Sequence, residues 1–453
     1  MPLLVIHGHF YQPPRENPWI GAIDPEPSAL PFHDWNERIQ AECYQPNSAV
    51  RIFDPKTQQE LIVNNYEKIS FDFGPTLLSW LEGKHPETYA RILAADATST
   101  AMHHGHGNAL AQAYNHIILP LANERDQRTQ IRWGLADFRH RFGREAEGMW
   151  LAETAANDDS LGLLIDEGLR FVVLAPQQAQ RVRIRTTPPD LSEPPASAGG
   201  EVSKPIVDES NWQDVTGGRI DTSVAYNYFH RDGSGRSLAV FFYDQALAHG
   251  IAFEQTLASS ATLADRLAGA AMREGRAGLL VNVATDGESY GHHHKFGDLC
   301  LAHAMEIDAP ARGFLITNYG EYLDQHPPDA EVEIYPGSDG EGSSWSCVHG
   351  VGRWIRDCGC HTGGEPGWNQ SWRLPLRQAL NFLRDEVAQY FEATRGQLFI
   401  DPWIARDASI GLILDEHKSR EEFLREVAPG ELNSKQKLEA LLFLELQRNT
   451  LLM

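Results

Sequence analysis

Leu279-Leu280-Val281-Asn282-Val283-Ala284-Thr285-Asp286-Gly287-Glu288 is a β-prone apolar run that passes without interruption into two carboxylates flanking a glycine. Runs of the same kind recur at 3–6, 98–102, 148–151, 171–175, 238–243 and 314–317, each bounded by polar or glycine-rich sequence. Between several of them lie stretches with helical spacing, among them 129–142 and 253–273. Strands that alternate with helices pair in parallel through right-handed crossovers, which gives an α/β protein, either a doubly wound sheet or a barrel. Seven strand candidates suit an incomplete TIM-like barrel.

The ends of these runs carry the chemistry. In (β/α) barrels the working groups sit at the C-terminal ends of strands, where separate loops converge on one mouth. Here the first run leads into His7-Gly8-His9, the second into His103-His104-Gly105-His106, and 148–151 into Glu153. The 238–243 run leads to Asp244, and 279–284 leads to Asp286 and Glu288. An isolated carboxylate beyond an apolar run is simply solvated. Two of them across a sugar ring supply the nucleophile and the proton donor of glycoside hydrolysis. Glu153 has Trp150 and Thr154 as neighbours in sequence. Asp286 precedes a glycine that permits a sharp turn and Glu288, whose charge raises a nearby pKa. With 62 acidic residues in the chain, such a pairing is unspecific on chemistry alone.

Length and composition bound the alternatives. A chain of 453 residues exceeds one small core, so a large α/β domain with a helical partner is expected. The net charge of −23 disfavours nucleic acid and anionic membranes as partners, whereas a neutral sugar is indifferent to it. Eleven tryptophans fit a sugar ligand, since an aromatic ring covers the apolar face of a pyranose, although most such rings serve a core. No apolar run approaches the roughly 20 residues that span a bilayer. The short apolar start at Met1 lacks a basic leader, and the five cysteines are odd in number and dispersed, so a cytoplasmic protein is expected.

Two segments interrupt the alternation. The Pro- and Gly-rich stretch at about 186–215 reads as a surface insertion or lid within a catalytic region 1–335. Beyond it, 336–453 reads as glycine-rich loops and a helical region. Leu376, Leu380, Leu383, Val387 and Phe391 mark one apolar helix face, and a further helix starts near Ser434 as N-cap. That helix stops at Leu451-Leu452-Met453 without a polar tail, so the chain is expected to be truncated there or completed by another surface.

Several strings, taken in order, resemble glycoside hydrolase family 57. His7-Gly8-His9-Phe10-Tyr11-Gln12-Pro13-Pro14 is similar to its first motif, H-x-H-Q-P, with two residues inserted before the Gln. The second motif is matched by His106-Gly107-Asn108 through Asn115-His116-Ile117-Ile118-Leu119-Pro120-Leu121. Glu147-Gly148-Met149-Trp150-Leu151-Ala152-Glu153-Thr154 resembles the third, and Thr285-Asp286-Gly287-Glu288-Ser289-Tyr290-Gly291 the fourth. Gly342-Ser343-Ser344-Trp345 is similar to a following S-W loop. The resemblance covers roughly residues 1–350 and implies a (β/α)7 barrel and a retaining mechanism on α-linked glucans, as in amylases, 4-α-glucanotransferases and branching enzymes. It implies Glu153 as nucleophile, Asp286 as general acid/base, and substrate contacts from His7, His9, His116, Trp150, Glu288 and Trp345. The run 357–370 resembles a subgroup with an uncharacterised C-terminal domain. Asn108, Ala152 and Cys347-Val348-His349 depart from the better-studied members, which leaves the catalytic pair intact and the substrate open.

No cofactor and no metal are expected. Cys347, His349, Cys358, Cys360 and His361 offer donors for zinc, but their spacing is not the usual C-x-x-C pair, and reduced buried cysteines are common. His292-His293-His294 reads as a partly solvated loop edge. Two alternatives stand beside the glycosidase. One is a metal-dependent carbohydrate deacetylase or hydrolase, in which His7 and His9 converge on an ion; the other is a catalytically silent glycan-binding protein. Oligomeric state is open.

Overall fold

The computed structural model describes residues 1–17, 19–54, 56–184, 211–273, 276, 278–360, 363–415 and 417–453. Most of the insertion expected at about 186–215, and His361, lie outside the described residues.

Seven strands run parallel, and we number them along the chain: β1 (Leu3–Phe10), β2 (Ser70–Phe73), β3 (Ala109–Gln112), β4 (Gly148–Trp150), β5 (Phe171–Leu174), β6 (Ser237–Phe242) and β7 (Leu280–Asp286). Their order in the sheet is β7-β1-β2-β3-β4-β5-β6, so each strand after β1 is laid down beside its predecessor until β7 returns to the far side of β1. β6 and β7 do not pair as strands; one bond, from the Asp244 N–H just beyond β6 to the Asn282 carbonyl of β7 (2.7 Å), bridges them. The barrel is therefore incomplete on that side. Beyond β6 the sheet continues outward through Ala225–Phe229, Ala330–Ile334 and Ala179–Ile184. β1 is buried along its whole length, as expected of a strand covered on both faces.

Two of the expected strands are not barrel strands. Residues 98–102 close the helix Pro86–Met102, whose Ile92, Ala95 and Ser99 continue one buried face; the β-branched Thr98 and Thr100 yield to that packing. Residues 314–317 contain only Leu315–Ile316, a two-residue strand beside β1. The two strands missing from the expectation are β2 and β3. In β2, Ser-Phe-Asp-Phe has a carboxylate in mid-strand, and in β3, Ala-Leu-Ala-Gln consists of good helix formers. The helical stretch at 129–142 begins earlier, at Glu124, and 253–273 divides into the last residue of Gln245–Phe253 and the whole of Ser260–Ala271.

The helical region holds Arg373–Glu392, Pro402–Ala408, Arg420–Val427 and Ser434–Leu452 around an apolar cluster that includes Phe391, Phe399, Phe423 and Leu444. The N-cap of the last helix is Asn433, which accepts from Gln436 in a capping box, rather than Ser434. The face marked by Leu376 and Leu383 is formed as a helix face but stays open, both residues being exposed. Tyr114, Trp133, Ile410 and Leu451 form a smaller cluster that joins this region to the barrel helix Glu124–Phe142. Beside it the buried Arg406 guanidinium donates to Asp126 (2.7 Å) and Thr129 (2.5 Å).

Candidate active site

Register brings the first groups together. His9 on β1 lies level with Asp72 on β2 and with Asp286 on β7. His7 and His9, two residues apart, point to the same face of the strand, with His7 one layer deeper. Asp72 is fully buried and takes both histidines: His7 Nε2 donates to one oxygen and His9 Nδ1 to the other, each at 2.9 Å, and the Gln112 amide adds a third bond. Burial alone would raise the Asp72 pKa, but His9 and His7 outweigh it and hold the carboxyl below its ordinary value.

The same charges act on His9. Burial opposes its protonation, yet Asp72, with Asp286 and Glu288 beyond, pushes its pKa up to about 9. His116 is driven the other way, well below its ordinary value, by burial and by the His9 charge. A protonated His9 therefore donates through Nε2 to the Nε2 of a neutral His116 at 3.0 Å. The rings pile up in sequence: Trp150 stacks on His7 (4.6 Å) and His9 (5.3 Å), His9 on His116 (5.0 Å), and His116 on Tyr11 (3.7 Å).

Glu153 follows β4 on a left-handed backbone (φ 59°, ψ 19°), and Thr154 after it also has positive φ (48°). Such conformations cost non-glycine residues about 1–3 kcal/mol each and persist where surrounding bonds over-determine them. Those bonds are present. The Thr154 carbonyl accepts from Gln178 (2.8 Å), its hydroxyl donates to the same side chain (2.8 Å), and the Glu153 carbonyl accepts from the Trp345 N–H (3.1 Å). The Trp345 indole N–H donates to Glu153 Oε2 at 3.1 Å, so one residue grips both the backbone and the carboxylate.

Asp286 closes β7 on the other side of the mouth. Gly287 follows it because the Phe10 ring lies where a side chain would start: a Cβ there would sit 2.3 Å from the ring. Asp286 opens on one side to the cleft, while protein crowds its other sides. That crowding raises its pKa, His9 pulls it back, and the Glu153 charge raises it again; the net direction is upward. Glu288 lies below, accepting from the Tyr44 hydroxyl (2.7 Å) and the Tyr11 N–H (3.2 Å). Burial and then Asp286 push its pKa up to about 7.

Glu153, Asp286 and Trp345 line two adjoining lobes of a cleft, each of about 290 Å³, near the lower end of the roughly 300–1,000 Å³ typical of ligand sites. One lobe adds Tyr243, Gln245 and Phe253; the other adds His9, Tyr11, Trp35, His116, Glu288 and His293. Of the expected site residues, Glu153, Asp286, His9, His116, Glu288 and Trp345 thus share the cleft. His7 and Trp150 do not reach it, since both are completely buried beneath His9 and support it from below. His103, His104 and His106 are away from the mouth, in the loop that precedes β3, paired with Glu321, Glu147 and Asp324. Asp244 caps the helix Gln245–Phe253 and pairs with Arg273. Asp72, Gln112, Tyr11 and Trp35 were not singled out in the sequence; the one signal available was a carboxylate in the middle of an otherwise aromatic β2.

Comparison with known proteins bears on the family and the fold. The sequence profile of glycosyl hydrolase family 57 matches residues 34–335, about two thirds of the chain, and a domain of unknown function, DUF3536, matches residues 368–453. No curated protein matches the sequence. Among solved structures, an exo-type maltose-forming amylase from Pyrococcus sp. ST04 is 14% identical with a TM-score of 0.67, covering 99% of this chain and 74% of that one. A branching enzyme from Pyrococcus horikoshii is 14% identical with a TM-score of 0.56, covering 100% and 87%. An α-amylase from Thermotoga maritima is 11% identical with a TM-score of 0.51, covering 99% and 92%. At these identities the structures speak for the fold, and the profile match speaks for the family. The chain belongs to glycosyl hydrolase family 57 and is a glycosidase.

Proposed function

We propose that this glycosidase acts on α-linked glucans by double displacement, with Glu153 as nucleophile and Asp286 as general acid/base. The observation that carries this reading is the shared cleft of the two carboxylates, one held by an indole N–H and the other inclined to keep its proton. A retaining mechanism needs that division of labour. In the first step the Glu153 carboxylate attacks the anomeric carbon while Asp286 protonates the leaving oxygen. In the second, Asp286 takes a proton from water or from an acceptor sugar, which displaces Glu153 from the glycosyl-enzyme.

The surroundings suit these roles. His9, positively charged and 6% exposed, stands between Asp72 and Asp286 and stabilises Asp286 once its proton has gone. Tyr11, Trp35 and Trp345 offer ring surface to a sugar, and the neutral His116 and the Glu288 carboxyl offer hydrogen bonds to hydroxyls. The two lobes meeting at the carboxylate pair correspond in this reading to the sugar units on either side of the scissile bond.

A metal-dependent deacetylase gains no support from the same geometry. Both ring nitrogens of His7 are engaged, with Ser70 and Asp72, and both of His9, with Asp72 and His116. Neither offers a lone pair to an ion at the mouth.

The experiment is product analysis after incubation with a panel of α-glucans, with Glu153→Gln alongside. Shortened chains indicate an amylase, redistributed chains a glucanotransferase, and new branch points a branching enzyme. Full turnover by Glu153→Gln would refute the assignment of the nucleophile, and no change in any glucan would refute the substrate class.

A further inference from the structure

Four residues outside the cleft come together in the loop between the barrel and the helical region. The Cys347 Sγ lies 3.6 Å from His349 Nδ1, 4.0 Å from Cys358 Sγ and 3.5 Å from Cys360 Sγ, and Cys360 Sγ lies 3.4 Å from His349 Nδ1. All four donor atoms fall within 4.8 Å of one another. Among the described residues, this is the one group of three or more metal-capable side chains gathered so closely.

The distances have a chemical meaning. Tetrahedral zinc with Zn–S of about 2.3 Å and Zn–N of about 2.0–2.1 Å places neighbouring sulfurs about 3.8 Å apart, and sulfur and nitrogen about 3.5 Å apart. The separations here straddle those edges. A disulfide requires about 2.05 Å, and the cysteines are unbonded. Gly359, between Cys358 and Cys360, has φ 83°, a left-handed conformation that turns the backbone between the two cysteines and lets both converge with Cys347.

We infer that Cys347, His349, Cys358 and Cys360 form a structural Zn²⁺ site that locks the loop carrying Trp345. Three thiolates and an imidazole favour zinc over the oxygen-seeking cations, and a full set of four protein donors leaves no open position for catalysis. Its location gives it a task. Cys347 is two residues beyond Trp345, the residue that holds Glu153, while Cys358 and Cys360 lie just before the segment matched by the C-terminal domain. The four ligands fall between residues 335 and 368, in the interval that neither family profile matches. The loop has backbone bonds, such as Gly350 N–H to the Cys347 carbonyl (2.9 Å) and Val351 N–H to the Gly342 carbonyl (3.1 Å), and Arg356 pairs with Asp339 and Glu341; the ion would tie its two cysteine-bearing ends together.

The site stands apart from the glycosidase reading, and its test is metal content rather than activity. The full chain, purified under reducing conditions from zinc-supplemented cells, is analysed by plasma mass spectrometry. About one zinc per chain is expected, released stoichiometrically by a mercurial that titrates thiolates. Cys358→Ser and Cys360→Ser should each lower zinc content at least fivefold with the far-UV circular dichroism unchanged. Should these variants misfold, Co²⁺ exchanged into the wild-type chain gives an independent reading: intense tetrahedral visible bands together with thiolate charge-transfer absorption. Failure of the reduced wild-type chain to take up zinc or cobalt, a six-coordinate cobalt spectrum, or a disulfide among these cysteines in the freshly purified protein would overturn the inference.

Discussion

Replacing Glu153 by Gln removes a charge while keeping shape, and its effect should be legible at Asp286. Glu153 is among the groups that raise the Asp286 pKa, so its neutralisation must lower it. Double displacement places the two carboxyl groups roughly 5 to 5.5 Å apart. At that separation two unit charges interact by about 3 kcal/mol with an effective dielectric of 20, and by about 0.8 kcal/mol in bulk water. Those limits correspond to about 2 and about 0.6 pH units. Asp286 opens to the cleft on one side, and water there screens the pair, so a fall of about 1 unit is expected. The assay is an NMR titration with ¹³C-labelled aspartate, Asp286→Asn identifying the resonance. Cleft water makes the shift modest but does not change its sign. An Asp286 that titrates identically in both proteins would show that the carboxylates do not face each other, and the mechanism would fall with them.

Other consequences follow from the same geometry. Asp286→Asn should slow natural glucans far more than substrates with activated leaving groups, which need no protonation; equal slowing of both would remove Asp286 as the acid. Trp345→Phe keeps most of the ring but loses the indole bond to Glu153, and kcat/KM should drop about tenfold or more through poorer orientation of the carboxylate; an unchanged value refutes that role. His9 has a folded pKa near 9, above the ordinary 6.5, so the stability its charge contributes is complete below about pH 6.5 and is lost as pH rises through about 9. Thermal unfolding should therefore show an alkaline decline that His9→Gln flattens, and an identical decline in the variant would count against it. Arg406→Ala should cost roughly 3 kcal/mol in urea denaturation, because the buried Asp126 loses its nearer cation and keeps only Arg125 at 3.8 Å, whereas the pair Arg406→Met with Asp126→Leu should recover much of it. A loss under about 1 kcal/mol in the single variant would mean that this junction contributes little.

Much of the architecture was legible because its signals are local. β1, β4, β5, β6 and β7 are runs of apolar residues ending at turn or polar sequence, and any strand buried on both faces reads that way. β2 and β3 escaped for opposite reasons. Asp72 breaks the apolar run of β2, and its distant partners, two histidines 63 and 65 residues earlier and Gln112 40 residues later, make it tolerable in the interior. β3 has the composition of a helix and becomes a strand because β2 and β4 flank it. Residues 98–102 show the converse, since β-branched residues were recruited to a helix by packing. His7 and Trp150 belong to recognisable motifs, yet whether a motif residue meets the substrate or underpins one that does depends on depth in the barrel.

The ordered motifs of residues 1–350 carry the resemblance to the family, and that resemblance implies Glu153 and Asp286 as its pair, because a motif is a local string that needs no fold to be recognised. Which proton each group keeps, how Glu153 is held in a left-handed turn, and whether four dispersed sulfur and nitrogen donors meet at a point are not written in any local string. Charge interaction, exclusion of water and the convergence of donor atoms act through space and fall off with distance in ångströms, so they came into view once Asp72, His9, Asp286, Trp345 and the cysteines had been brought side by side by the fold.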